Sequence, residues 1–183
     1  MITYDTHIKP YSKKFILVRI DDERIAKIDK YVKELIKVKK LEAHHQVDKS
    51  SHYKRFYTGT LGEVALELFF GIEGIVDWSI GDSKAYHKPD LKSIGLNIGV
   101  KTVQYGSFPI VFKESYCHEI IMIRWKSNFI YICGLAKKDV LNKYQSIDLI
   151  KDDRLRLKST KTGFYGFNKL KYFFTLNELK SLL

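Results

Sequence analysis

The most restrictive feature of this chain is a pair of short apolar runs. Glu119–Trp125 reads EIIMIRW, and Asn128–Gly134 reads NFIYICG. Each is too short for a core helix and rich in β-branched or aromatic residues, so each reads as a strand. Lys126-Ser127 between them supplies the turn of a β-hairpin. A half-exposed strand alternates apolar and polar residues; these runs scarcely do. They therefore need cover on both faces, and the rest of the chain has to supply two covering layers.

Helical candidates lie mostly upstream. Residues 15–20, FILVRI, are a short strand or the lead-in to a helix. Asp21-Asp22-Glu23 then places acidic side chains where a helix N-terminus favours them. Ile25, Ile28, Val32, Leu35 and Ile36 follow at helical spacing, with Lys27, Lys30, Lys33 and Lys37 on the other faces. Residues 43–55 are polar and read as a loop. They hold three of the six histidines, of which His44-His45 is a weak hint of metal binding. Residues 58–70, TGTLGEVALELFF, predict a second helix. Its stripe of Leu61, Val64, Ala65, Leu68 and Phe69 is widened by Leu66 and Phe70, so several of its sides are buried. Gly59 and Gly62 would admit a close neighbour.

From about residue 75 the period becomes that of strands. IVDWSI is one candidate, AYHKPDL leads into a second, and GLNIGVKTVQ is a third, ahead of the hairpin. Residues 135–144 read as a helix, and the charged run Lys151–Lys161 as a surface loop. Thr175 with Glu178 has capping-box spacing and opens a short last helix. The expected architecture is α/β or α+β: a central mixed sheet flanked by helices, in a single domain over 1–183. Its helical part covers about 1–70, its sheet core about 75–135, and a helix and aromatic-rich part 136–183.

Composition narrows the function classes. The 183 residues carry 32 basic and 21 acidic side chains, a net charge of +11. Such a surface attracts polyphosphates by releasing their counterions. A lysine-rich composition without any such partner gives the same count, and nucleic acid is favoured over an anionic membrane surface. Cys117 and Cys133 have neither zinc-ligand spacing nor the density of a disulfide framework. No run of about 18 apolar residues occurs, and MITYDTHIKP is no signal peptide. A cytoplasmic protein is the expectation, with no membrane partner.

Three ionisable residues stand out. Glu63 lies in the buried helix, Asp90 follows Pro89, and Lys101 falls eleven residues beyond Asp90 inside an apolar strand. A lone Lys among Ile98, Val100 and Val103 needs an anionic partner or a route to solvent. Each residue also has an ordinary explanation. Thr60-x-x-Glu63 is a capping box, Pro89-Asp90 is turn chemistry, and Lys101 suits an edge strand.

Taken together, the segment RFYTGTLGEVA (55–65), Pro89-Asp90 and Ile98-Gly99-Val100-Lys101 resemble the PD-(D/E)XK, or restriction-endonuclease-like, nucleases. The resemblance spans roughly residues 55–135. It implies a mixed sheet flanked by helices and a Mg²⁺-dependent endonuclease acting on DNA, with Mn²⁺ as a substitute. Asp90 would be the principal metal ligand, Glu63 an outer one, and Lys101 the residue that orients the attacking water. Gln104, Arg55 and Lys88 would meet the nucleic acid, and a homodimer is plausible by analogy. Lys84, His87, Tyr105 and Phe108 are lesser candidates for substrate contact.

One departure stands out: two residues before the Lys, where the family places Glu or Asp, this chain has Gly99. Three explanations compete. The acid has migrated, with Glu63 or Glu67 filling in. The domain is an inactive relative that still binds nucleic acid. Or Gly99 is an inactivating substitution. The first and third are preferred, because a wholly decayed site has little reason to keep the other three residues.

Overall fold

A computed structural model describes residues 1–39, 52–80 and 88–183. The chain begins with a short helix, α1 (Tyr4–His7), and an edge strand, β1 (Ile16–Arg19). Two long helices follow, α2 (Asp22–Lys39) and α3 (His52–Phe70). After them come β2 (Ile98–Gln104), β3 (Ile110–Phe112), and the hairpin strands β4 (His118–Lys126) and β5 (Phe129–Ala136). The last part holds α4 (Lys138–Lys143), β6 (Gln145–Ser146), α5 (Asp153–Lys158), β7 (Lys161–Phe164) and α6 (Leu176–Ser181).

The main sheet has four strands in the order β1-β5-β4-β2. It is mixed: β5 runs antiparallel to β1 and β4, and β2 runs parallel to β4. A second sheet, β3-β7-β6, is antiparallel. The hairpin is covered on both faces, as its sequence requires. One face packs Ile120, Met122, Ile130 and Ile132 against α2 and α3. The other packs Ile121, Ile123 and Cys133 against Leu141, Phe164 and Phe167. Among the described residues no helix is long and apolar enough to cross a membrane.

Several elements differ from the sequence expectation. Residues 52–55 are helical rather than loop: α3 starts at His52, and Tyr53 stacks on Tyr57 one turn on, with ring centroids 5.3 Å apart. Residues 75–80 form no strand. Glu67 Oε1 accepts the N–H groups of Gly74, Ile75 and Val76 at 2.9, 2.9 and 3.0 Å, so they are taken before any ladder can use them. Pro89-Asp90 does not begin a strand either. Pro89 caps a 3₁₀ turn over Asp90–Ile94, and Gly95 ends it at φ 81°. Leu135 and Ala136 belong to β5, not to a helix. Leu135 exchanges backbone hydrogen bonds with Lys171 at 2.8 and 2.9 Å, and this long-range pairing overrides local helix propensity. The run Lys151–Lys161, expected as loop, contains α5. Of the two glycines in α3, Gly62 does admit a neighbour, whereas Gly59 faces open space.

Candidate active site

β2 forms one edge of the main sheet, and α3 runs back along it. Gln104 Nε2 at the end of β2 donates to Thr58 Oγ1 at 3.1 Å. Thr102 lies directly under Gly62. Glu63 is thereby delivered near the start of the strand. There the Asp90 carboxylate accepts the Val100 N–H at 2.5 Å, occupying the free sheet edge where a further strand would bind.

Glu63 is no cap residue. The helix begins well before it, and Thr60 donates to Phe56 O at 3.0 Å. The structural explanation for Thr-x-x-Glu is therefore removed. Glu63 and Asp90 line one cavity of about 670 Å³, with Arg55, Lys88 and Lys92 also on its wall. Burial, with Asp90, Glu67 and Asp77 adding repulsion, pushes the Glu63 carboxyl up to about 8. Asp90 is raised too, again by burial, against the Val100 N–H and the Lys101 charge.

On the neighbouring strand, a carboxylate faces Gly99. Parallel pairing sets Gly99 opposite Glu119, the first residue of EIIMIRW. Glu119 is 4% exposed. Its carboxylate fills the space that a side chain at position 99 would take: a Cβ built there would stand 2.5 Å from Glu119 Oε2. Lys101 Nζ lies 3.8 Å from Glu119 Oε1. Burial raises Glu119 to about 7 in spite of Lys101. Burial also opposes the Lys101 ammonium, yet Glu119 and Asp90 outweigh it and hold its pKa above the ordinary value. Glu119 Oε2 is buried without a hydrogen-bond partner.

The side chain that occupies the space beside Gly99 is thus Glu119, and not Glu63 or Glu67. Glu67 is committed to the 74–76 loop. Glu63 approaches Asp90 from the helical side. Sequence reasoning missed Glu119. The available signal was one carboxylate just ahead of the apolar run Ile120–Ile123, but the parallel register that aims it at Gly99 is a tertiary fact.

The other candidates fall in different places. Arg55 and Lys88 line the cavity of Glu63 and Asp90. Gln104 lies at the far end of β2. Tyr105 is half exposed beside Tyr4, and Phe108 packs into the second core. His44, His45, Lys84 and His87 lie outside the described residues.

Asp90 is the shared member of two acidic neighbourhoods, since both Glu63 and Glu119 feel its charge. Three carboxylates and one ammonium leave a net negative site when ionised. Its oxygen donors and the partnerless Oε2 suit a hard divalent cation in chemistry. Among the described residues no three His, Cys, Asp or Glu side chains converge closely enough to hold one in this conformation.

Compared with protein-family models, curated proteins and solved structures, the chain matches none of them.

Proposed function

We propose that this chain is a metal-dependent nuclease of the restriction-endonuclease-like kind, hydrolysing phosphodiester bonds in DNA. The reading rests foremost on the glycine-for-acid exchange. A buried carboxylate with one free oxygen fills the space at Gly99, within ion-pair distance of Lys101. Leaving such an oxygen unpartnered is costly unless a ligand uses it.

Asp90 and Glu119 are the donors that would hold Mg²⁺, or Mn²⁺ in its place, with Glu63 contributing from the helical side. The ion, when bound, stabilises negative charge developing on the phosphate. Lys101 stays protonated because two carboxylates face it. Its ammonium can orient an attacking water by donating an N–H to the water oxygen. Arg55, Lys88 and Lys92 on the cavity wall offer charge to the flanking phosphates.

Incubation of supercoiled plasmid with Mg²⁺ or Mn²⁺ tests this. Wild type should nick or linearise it, chelator should stop the reaction, and Asp90→Asn should slow it by at least about 100-fold. Cleavage that survives both treatments would sink the assignment. A second reading has its own support: Lys101 already neutralises part of Glu119, and among the described residues no three ligands converge. In that reading the protein binds nucleic acid without cutting it. DNA binding with no cleavage under any divalent metal would select it.

A further inference from the structure

A second cavity, of about 510 Å³, opens at the opposite end of β2. Its wall includes Tyr53, Lys54, Tyr57, Gln104, Arg124 and Lys126. Among the described residues, three cations line it and no carboxylate does. Arg124 lies beside Gln104 in the parallel register of β2 and β4. Its guanidinium sits over the Tyr57 ring, 5.0 Å from the centroid. Tyr57 is itself buried and stacked on Tyr53, with an interplanar angle of 17°. The hydroxyl of Tyr53 is anchored on Asp29 Oδ1 at 2.5 Å. The guanidinium is thus seated on a fixed aromatic floor, and among the described residues its one hydrogen bond is a long 3.4 Å contact to Ser127 O. Its remaining N–H groups are available, in the planar fork that matches a phosphate.

We infer that this cavity binds a backbone phosphate of a DNA strand, with Arg124 as the seat and Lys126 at the rim. The inference deepens the nuclease reading and takes from it the identity of the polyanion. Val100, whose N–H holds Asp90, stands four residues from Gln104 along β2. At about 3.3 Å per residue the separation is about 13 Å. Projected on a duplex axis, that span corresponds to at most about four base steps at about 3.4 Å of rise each. The cavity would therefore grip the substrate a few nucleotides from the bond that is cut, on the same strand of the sheet that carries Lys101. Six residues of α3 separate Tyr57 from Glu63, about 9 Å of helical rise, so the helix spans the same two points.

The test measures binding of a short fluorescein-labelled duplex by anisotropy, in chelator so that no cleavage occurs. Arg124→Met should weaken binding roughly tenfold, and the slope of log affinity against log salt should fall by about one. Arg124→Lys, which keeps the charge, should lose less. A series of duplexes, each with one phosphate neutralised as a methylphosphonate, then locates the contact. At one position neutralisation should weaken wild type and leave Arg124→Met unaffected. Equal penalties in both proteins at every position would overturn the inference, as would wild-type affinity in Arg124→Met. Should Arg124→Met fail to fold by circular dichroism, Lys126→Gln on the exposed rim carries the same test: coupling at one position supports the inference, and coupling at none overturns it. Cleavage by wild type without any coupling sinks this inference alone. Coupling without cleavage sinks the nuclease reading alone.

Discussion

Two glycines face β2 or belong to it, and each makes room for a buried polar atom. Gly62 of α3 leaves space for Thr102 Oγ1, and Gly99 of β2 leaves space for Glu119 Oε2. These are also the two buried side-chain oxygens without a hydrogen-bond partner among the described residues. Their consequences differ. An orphaned hydroxyl is neutral, and its cost is of order 1–3 kcal/mol. It is a packing compromise that lets helix and strand approach. An orphaned carboxylate oxygen beside a lysine and a second carboxylate is a demand for positive charge. The same steric device closes the core on one face and leaves a cluster of ionisable side chains on the other.

The difference is sharpened most by Lys101→Met. On the Gly99 face this removes the cation nearest Glu119, and leaving that buried carboxylate without its half-buried partner costs up to about 3 kcal/mol. The loss should depend on pH. Glu119 and Glu63 are raised to about 7 and about 8 from an ordinary 4.5. The folded state therefore holds protons that the unfolded state has released between pH 4.5 and 8. Stability should be greatest near pH 5 and fall as pH rises through that window. Lys101→Met should steepen the fall, because Glu119 then ionises alone, and should cost little at pH 5, where Glu119 is protonated. Urea melts at pH 5 and pH 8 check this. A variant equally destabilised at both would show that the stem of Lys101, not its charge, matters. Mg²⁺ should restore wild-type stability chiefly at the alkaline end.

Next in size is the packing glycine. In Gly62→Ala the new Cβ would overlap Thr102 Oγ1. Alanine is the better helix former by about 1 kcal/mol, yet overpacking should win and leave a net loss of about 2 kcal/mol. Thr102→Ala in the same protein should recover most of the loss, because it removes the clashing hydroxyl. Additive losses in the double variant would break the pairing drawn here.

These contacts also show what could be read from sequence. The hairpin declared itself, because two short apolar runs allow few alternatives, and the structure covers both its faces. Glu63 was visible as one of two charges in an apolar helix. The capping explanation for it requires a helix that starts near residue 58, and α3 starts at His52. Glu119 was not visible. An acid at the head of a strand acquires meaning only from its neighbour, and the β2–β4 register joins residues separated by a loop and β3. Pro89-Asp90 misled for a related reason. Asp90 reaches the strand edge through its side chain, from a 3₁₀ turn, where a backbone ladder was expected.

A smaller effect separates position from presence at the Gly99 face. Gly99→Ala would bring Cβ to 2.5 Å from Glu119 Oε2, at the end of a side chain that can shift, for about 1 kcal/mol. Gly99→Glu alone should do worse than this, since it crowds a second carboxylate against the first. The exchange Gly99→Glu with Glu119→Gly returns one carboxylate to one cavity. It should regain the lost stability and match wild type in the divalent-metal-dependent cleavage proposed for this site, as read on plasmid. If the single Gly99→Glu variant is the more active protein, Glu119 is no substitute for the missing acid.

Gly59 supplies the smallest effect and the control for the rest. It lies in the same helix as Gly62 and lines the cavity of Glu63 and Asp90, but a Cβ there meets nothing within 4 Å. Helix propensity then acts alone, and Gly59→Ala should stabilise the protein by about 0.5–1 kcal/mol in a urea melt. The sign is the informative part. Destabilisation would mean that the cavity is smaller in solution than about 670 Å³ allows, with another segment resting on α3 at this turn. Stabilisation beside a destabilised Gly62→Ala would show that the helix tolerates a side chain at position 59 but not at position 62, against Thr102. The glycine at 62 would then be set by the approach of β2, the contact that holds Glu63 beside Asp90.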